Sequence, residues 1–515
     1  MKLKRIISLF ISAALSCCLV ISAGAEDTDN AVLRMETPDT AFSISNNISD
    51  NSYRNRSTPV YSYLYENADG TFSKTEYSES NGCVYVEDYY SDMTLAASRT
   101  IECELPLFGG FYSGSKYNFI VFGQTNDSES SSTEVMRIVR YSKSWDRIDS
   151  FSAKGANTRE PFTAGSLRMA ETNALLYVYT CHKLFTTDDG LNHQANMTFV
   201  IDTETMKEKQ SYYGIMNISY GYVSHSFNQF IKTDGKYIYR ADHGDAYLRG
   251  MSITKCSVDG SIKNVEYTNA FPIKGNTGNN YTGASAGGFE LSDSNCLIAG
   301  SSVDQSSDES FSSKKQRNIF LTVTDKNLKS TNTLWLTNYA EDSDISAGTP
   351  HLVKYGSDRF LIMWEEESKS SGDICVKIMS TDGNGNVISA AKKADIRLSD
   401  CQPSMMSDGL VKWYVTDSEK IILYSLDPFG MESFTEENIP VSVNITPGDA
   451  DLNGIINLED AALTLSIYAK YSAMLSLDEF TENQIKAADI NSDGVVNLSD
   501  AAETLKIYAQ NAAGI

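Results

Sequence analysis

The chain has 515 residues, with 67 acidic against 43 basic side chains and a net charge of −24. A field of that sign repels phosphate backbones, which excludes nucleic acid as a natural partner while favouring solubility and divalent cations. The length suits two or three domains at about 100–200 residues each.

At the amino end, Lys2, Lys4 and Arg5 precede an apolar run from Ile6 to Ile21, and Ala23-Gly24-Ala25 follow at cleavage spacing. This pattern predicts a secretory signal over residues 1–25, and hence an extracellular protein. Ala14-Leu15-Ser16 fits poorly before an acylated Cys17 or Cys18. No later stretch approaches the roughly 20 apolar residues of a spanning helix, so no transmembrane anchor is expected. The seven remaining cysteines are odd in number, scattered and without a CxxC pair, and read as buried small hydrophobes. Residues 26–56 are rich in Asn, Ser, Thr and Asp and read as a disordered lead-in.

From 57 to 430, short runs heavy in Tyr, Phe, Val and Ile alternate with Gly, Asn, Asp and Ser clusters, and no helical periodicity is sustained. The region is predicted to be all-β. Turns that end an apolar strand recur at Asp92, Asp146, Asp202, Asp259, Asp325, Asp382 and Asp427, with gaps of 54, 56, 57, 66, 57 and 45 residues. About four short strands per ~50-residue unit is the arithmetic of a β-propeller blade, and six to eight blades, best seven, would close a ring. Val60-Tyr61-Ser62-Tyr63 would complete the last blade. Two tandem β-sandwiches are the competing arrangement. Thr186-Thr187-Asp188-Asp189-Gly190-Leu191-Asn192-His193 resembles the Asp-box turn of sialidase-type propellers, with His193 in place of Trp; such turns are structural and imply a propeller only.

Residues 431–447, with Pro440 and Pro447, read as a linker, after which the pattern becomes helical over Leu458–Lys470, about Leu475–Ala488 and Leu498–Gln510. Asp449-Ala-Asp451-Leu-Asn453-Gly-Ile455-Ile456-Asn457-Leu-Glu-Asp460 has the form of a twelve-residue calcium loop, with Gly454 at the sharp turn. Asp489, Asn491, Asp493, Gly494, Val495, Val496, Asn497 and Asp500 repeat it 40 residues later, and the helices that follow agree at eight of eleven positions. One such cluster would be an ordinary turn; two in register are specific.

Neither loop has a helix in front of it, so the unit is loop-then-helix. Residues 448–515 therefore resemble a type I dockerin, the module that docks cellulosomal proteins onto scaffoldin cohesins. The resemblance implies two calcium ions. The first would be held by Asp449, Asp451, Asn453, the Ile455 carbonyl, Asn457 and Asp460, the second by Asp489, Asn491, Asp493, the Val495 carbonyl, Asn497 and Asp500. It implies cohesin-reading positions at Leu458, Glu459, Leu465, Ser466 and Lys470, and at Leu498, Ser499, Leu505, Lys506 and Gln510. The inter-repeat segment is longer than in familiar dockerins, and Leu-Glu and Leu-Ser stand where Ser-Thr is usual, which leaves the cohesin class open.

The larger domain's role is open between a glycan-active enzyme, a hydrolase or lyase, and a non-catalytic module that binds carbohydrate or protein. Plant polysaccharide is the analogous target of dockerin cargo. On a propeller, His225, Asp242, His243, Asp245, Glu365 and Glu366 would fall at strand ends on one face, with His182, His351, Arg240 and Arg249 nearby. Paired carboxylates there, ~5–10 Å apart, would suit glycoside cleavage. If Arg240 and Arg249 already neutralise those acids, binding is favoured instead.

Overall fold

The computed structural model describes residues 41–42, 46, 59–91, 94–214, 226–246, 248–263, 265–279, 281–305, 316–417, 420–429, 434–442, 447–451, 456–477, 480, 482–491 and 493–513. The expected signal segment lies outside the described residues, as does nearly all of the lead-in. No described helix is long and apolar enough to cross a membrane.

Seven antiparallel sheets follow one another along the chain, over residues 62–102, 107–154, 158–212, 226–272, 284–335, 345–394 and 404–442. The first strands of successive sheets touch one another, from Leu107–Ser113 through Arg168–Thr172, Ser226–Thr233, Ala284–Leu291 and His351–Gly356 to Ser404–Met405. They line the axis of a seven-bladed β-propeller. The strand patterns follow from that placement. Asn118–Gly123, in mid-blade, is covered on both sides and is buried throughout. Leu95–Glu102, the outer strand of the first blade, alternates half-buried and exposed positions.

Apolar clusters sit between neighbouring blades. Phe119, Val121 and Ile138 of the second blade meet Val178, Met197 and Phe199 of the third. Leu297, Leu321 and Ala299 of the fifth meet Ile362, Trp364 and Met379 of the sixth. The largest cluster joins the sixth and seventh blades to Leu64, Phe72 and Tyr89 of the first, closing the ring. A closed ring leaves few sheet edges to template aggregation.

The repeating aspartates occupy one structural position. Asp146, Asp202, Asp259, Asp325, Asp382 and Asp427 all lie at the turn between the third and fourth strands of their blades. Asp92 falls outside the described residues. Several of these carboxylates accept backbone N–H groups of the turns they begin: Asp202 from Glu204 and Thr205, Asp382 from Asn384 and Asn386, Asp427 from Phe429.

Two boundaries differ from the sequence expectation. The last strand of the seventh blade is Phe434–Ser442, inside the stretch read as linker. Its antiparallel partner is Lys420–Leu426 alone, and near a blade's rim a proline such as Pro440 removes little from the ladder. Val60–Tyr63 does not complete the last blade; Ser62–Glu66 is the first strand of the first blade. Among the described residues, Ala41–Phe42 adds to the seventh sheet, parallel to Val441 and Ser442.

Beyond the propeller come α1 (Leu458–Ser472), α2 (Glu482–Ala488) and α3 (Leu498–Ala513), with α1 packed on α3. Ala450, Ile467, Ala488 and Val496 form their small core, with Leu463, Tyr468, Leu477, Phe480 and Ile485 against it. The second helix begins later than the periodicity suggests. Met474 turns into the left-handed region at φ 53°, which a helix does not tolerate, and the chain restarts only at Glu482. All seven described cysteines are free, five of them buried.

Candidate functional site

The first of the paired C-terminal loops places its acidic groups together. Asp449, Asp451 and Asp460 bring carboxylate oxygens within 4.8 Å of one another, with Asp449 and Asp460 buried. Asp460 also accepts the Asn457 N–H at 2.8 Å, and Asn457 accepts that of Glu459, so a capping box opens α1. The second loop repeats the arrangement: Asp500 accepts the Asn497 N–H at 2.8 Å and Asn497 that of Ser499 at 2.7 Å. Asp489 takes the N–H groups of Asp493 and Gly494, while Gly494 holds φ 85° at the sharp turn. Asn453 and Ile455 lie outside the described residues.

The donor set fits a hard cation on one further observation. Asp500 is fully buried, yet its Oδ1 has no hydrogen-bond partner. A buried carboxylate oxygen without a donor is costly, and a divalent ion beside Asp489 and Asp493 would remove that cost. The reading positions that flank the loops are open to solvent. Leu458 and Leu465 on α1, and Leu498 and Leu505 on α3, are 53, 40, 59 and 40 % exposed. Glu459, Ser499, Lys506 and Gln510 are exposed beside them; Ser466 and Lys470 are half-buried. These four leucines stand at equivalent positions of two related helices.

In the propeller, the candidate acids are tied into the fold. Asp242 accepts from Tyr179 at 2.8 Å, from Asn196 and from Ser252, which bonds the third blade to the fourth. Arg240 reaches Thr198 in the third blade and Thr254 in its own, and its guanidinium lies 5.6 Å from the Tyr179 ring centre. Arg249 donates to the carbonyls of Asp245, Lys274, Asn279 and Tyr281. His243 and Asp245 are fully buried, and His243 meets Phe227 edge-on. Glu365 accepts from Arg397 at 3.0 Å and from the Leu398 N–H at 2.9 Å. Its neighbour Glu366 accepts from Trp364 and Tyr339. Adjacent positions on a strand face opposite ways, so these two do not share a gap. His225 lies outside the described residues.

The Asp-box-like segment is a turn between the second and third strands of the third blade, held by Asp189, which takes the Thr187 hydroxyl, the Leu191 N–H and His193. His182 is buried against the Thr158 hydroxyl, and burial lowers its pKa to about 3. His351 is likewise held neutral, its pKa lowered by burial to about 4.

Sequence reading named only His351 of a different cluster, at the end of the axis where first strands begin. Pro59, Val60, Gly287, Thr349, Pro350, His351, Asp400 and Gln402 line a small cleft there. Burial raises the Asp400 pKa to about 6, against the hydrogen bonds from Ser62 and Tyr61 and the charge of Arg168. Next to it, the first blade buries Lys74 between Glu76 and Glu87, at 2.9 and 2.8 Å. Burial lifts the Glu76 pKa to about 7 even with Lys74 alongside. These residues come from four distant segments, so no local pattern reveals them.

No known protein family and no curated protein matches the chain. Solved structures that resemble it include an N10 neuraminidase-like protein of influenza from a little yellow-shouldered bat, at 12 % identity over 61 % of this chain and 93 % of that one, with a TM-score of 0.35. An α-L-arabinofuranosidase from Lactobacillus brevis is 9 % identical over 65 % and 94 %, at 0.32. An α-L-arabinanase from Cellvibrio cellulosa is 10 % identical over 54 % and 93 %, at 0.29. Likeness at that level carries no argument. The class stands on the sheet topology: a seven-bladed propeller followed by two related loop-helix units.

Proposed function

We propose that this chain is an exported docking protein whose C-terminal module takes up two calcium ions and binds a scaffoldin cohesin, delivering the propeller to a cell-surface or extracellular assembly. The observation that carries this is the convergence of Asp449, Asp451 and Asp460 in a loop repeated forty residues on, where the buried Asp500 oxygen lacks a donor. Bound calcium would neutralise three carboxylates in each loop; unneutralised, those groups repel one another, so metal uptake and folding of the module are coupled. The leucines exposed on α1 and α3 then form two related faces for the partner.

For the propeller we infer a saccharide-directed role, by analogy with what such modules usually carry. Binding is favoured over cleavage on a specific observation: Asp242 has both oxygens bonded within the fold, and Glu365 and Glu366, each with one oxygen bonded, face opposite ways on their strand. A general acid or nucleophile needs its oxygen free toward substrate.

The test uses the full secreted chain. A cohesin pull-down should succeed in calcium and fail in EDTA; capture of cohesin by metal-free protein overturns the docking reading. Incubation with a plant-polysaccharide panel should retain the protein on at least one polymer without releasing sugar. Catalytic release of oligosaccharide would restore the enzyme reading.

A further inference from the structure

The seventh blade is incomplete at its inner edge. Its first strand, Ser404–Met405, pairs only with Val411 and Lys412 of the second, Val411–Asp417. Residues two apart on a strand turn their backbone N–H and C=O groups to the same edge. The Tyr414 carbonyl and the Thr416 N–H therefore share an edge, beyond the reach of the short first strand. Ser399, just ahead of that strand, donates its hydroxyl to the Tyr414 carbonyl at 2.6 Å, which shows that the edge is the inner one. Both Tyr414 and Thr416 are buried, so an open rung there would be costly.

Asn46 fills the gap from the opposite end of the chain. Its Oδ1 accepts the Thr416 N–H at 2.8 Å, and its Nδ2 donates to the Tyr414 carbonyl at 3.2 Å. A side-chain amide thus stands where a strand's backbone amide groups would, with one acceptor and one donor. The second Nδ2 proton goes to the Ser62 hydroxyl of the first blade, also at 3.2 Å. That hydroxyl donates in turn to Asp400, whose own N–H returns to the Asn46 backbone carbonyl at 3.0 Å. Asn46 is 6 % exposed, and its side-chain oxygen and both N–H groups are engaged. The first blade, the seventh blade and a residue ahead of both therefore meet in one hydrogen-bonded circuit.

The same segment also meets the blade's outer margin, where Ala41–Phe42 lies parallel to Val441 and Ser442. By composition this stretch reads as a lead-in, yet it touches the seventh blade at its outermost and its innermost edge. No strand is exchanged between the two ends of the ring: the strands of the first sheet, and the four core strands of the seventh, are each consecutive in sequence. Closure must come from elsewhere.

We propose that the segment ending at Asn46 is a clasp that closes the propeller. It completes the inner edge of the seventh blade and ties that blade to the first, and its withdrawal opens the ring at this seam before any other. The proposal is independent of what the propeller binds and of docking.

The experiment is amide hydrogen exchange on the full chain. In the unaltered protein the Thr416 amide should exchange as slowly as its neighbours in Val411–Asp417; exchange at the rate of an open loop overturns the clasp, whatever the variants do. Asn46→Ala should speed exchange at least about tenfold in Ser62–Glu66 and Val411–Asp417, the factor for about 1.4 kcal/mol of lost hydrogen bonding. Tyr237–Gly244, in the fourth blade, should not change. Asn46→Leu keeps the shape of the side chain and removes its polar atoms, so it should open the seam as alanine does; full protection in that variant would reduce Asn46 to a packing residue and overturn the proposal. Asn126→Ala is the matched control. Asn126 is 2 % exposed and donates to the Thr158 carbonyl, between the second and third blades, so its loss should spare the seam. Equal acceleration in all blades of Asn46→Ala, an unmoved seam, or the same seam response in Asn126→Ala each overturns the clasp.

Discussion

Glu66 receives both the backbone N–H of Ser407, at 2.7 Å, and its hydroxyl, joining the first blade to the last across 341 residues of sequence. Asp400 does the same for Tyr61 and Ser62. All four strands of the first blade, and the four core strands of the seventh, come from their own ends of the chain, so side chains fasten the seam between them.

Glu66→Ala should therefore loosen ring closure. The bond is charge-assisted but partly solvated, so a loss of about 1–2 kcal/mol is expected. Ser407→Ala should cost less, because the N–H remains. Differential scanning calorimetry checks both; a melting temperature unmoved in Glu66→Ala would show that packing alone closes the seam.

Stability should fall as pH rises from about 4.5 to 7. Glu76 keeps its proton to about pH 7 in the folded chain, because burial outweighs the attraction of Lys74, against 4.5 when unfolded. The folded state therefore binds more protons across that window, and raising the pH favours unfolding. Asp400, raised from 3.8 to about 6, acts in the same direction, and Glu87 and Arg168 are the other charges facing the pair. The move from 4.5 to about 7 corresponds to at most about 3.4 kcal/mol. Melting curves at pH 5 and 8 should show the loss, and Glu76→Gln should flatten it. An unchanged slope in that variant sinks the assignment.

Much of the fold was legible because its signals are local. Each aspartate turn is written in four or five residues, and the six described ones fall at the same strand junction; the loop pair at the C-terminus is likewise contiguous. The spacing of 66 residues between Asp259 and Asp325 reflects the long connection between Ser302 and Asn318 in the fifth blade. What escaped is non-local. Asp242 and Glu365 have the composition of an active site, but their partners, Tyr179 and Arg397, lie 63 and 32 residues away and turn them into braces. Asp400 and Gln402 belong to no motif, and only ring closure sets them beside Pro59 and Gly287.

Gly287 is required by the approach of two first strands. A Cβ there would stand 1.8 Å from the Pro350 carbonyl oxygen and 2.7 Å from Thr349 Cγ2. Backbone cannot yield as a flexible side chain does, so Gly287→Ala should cost about 3 kcal/mol or more. Gly348→Ala, whose nearest neighbour would be 3.6 Å away, is the matched control. Equal denaturation midpoints for the two variants would contradict this packing.

Calcium should be taken up in two steps that separate by mutation. Asp460→Asn and Asp500→Asn each keep the side-chain shape that accepts the N–H of Asn457 or Asn497 while removing one charge. Each should lose one of two sites in a calorimetric titration. The metal-dependent gain in helical circular dichroism should drop by about half in each. Two intact sites in Asp500→Asn would show that its partnerless oxygen has another cause.

The two exposed faces should substitute for one another in docking. Leu465 and Leu505 hold equivalent positions on α1 and α3, both 40 % exposed and outside the small core. Arginine at either should leave calcium uptake and helix content intact, since neither side chain supports the fold. If the two faces are alternatives, each single change leaves one of them usable, and cohesin affinity falls no more than a few-fold. Leu465→Arg with Leu505→Arg removes both and should abolish capture, because a buried guanidinium without a partner costs several kcal/mol at an interface. The flanking residues differ, Glu459 against Ser499, so the two single variants should also be unequal. A single variant that abolishes capture by itself would mean that only one face docks.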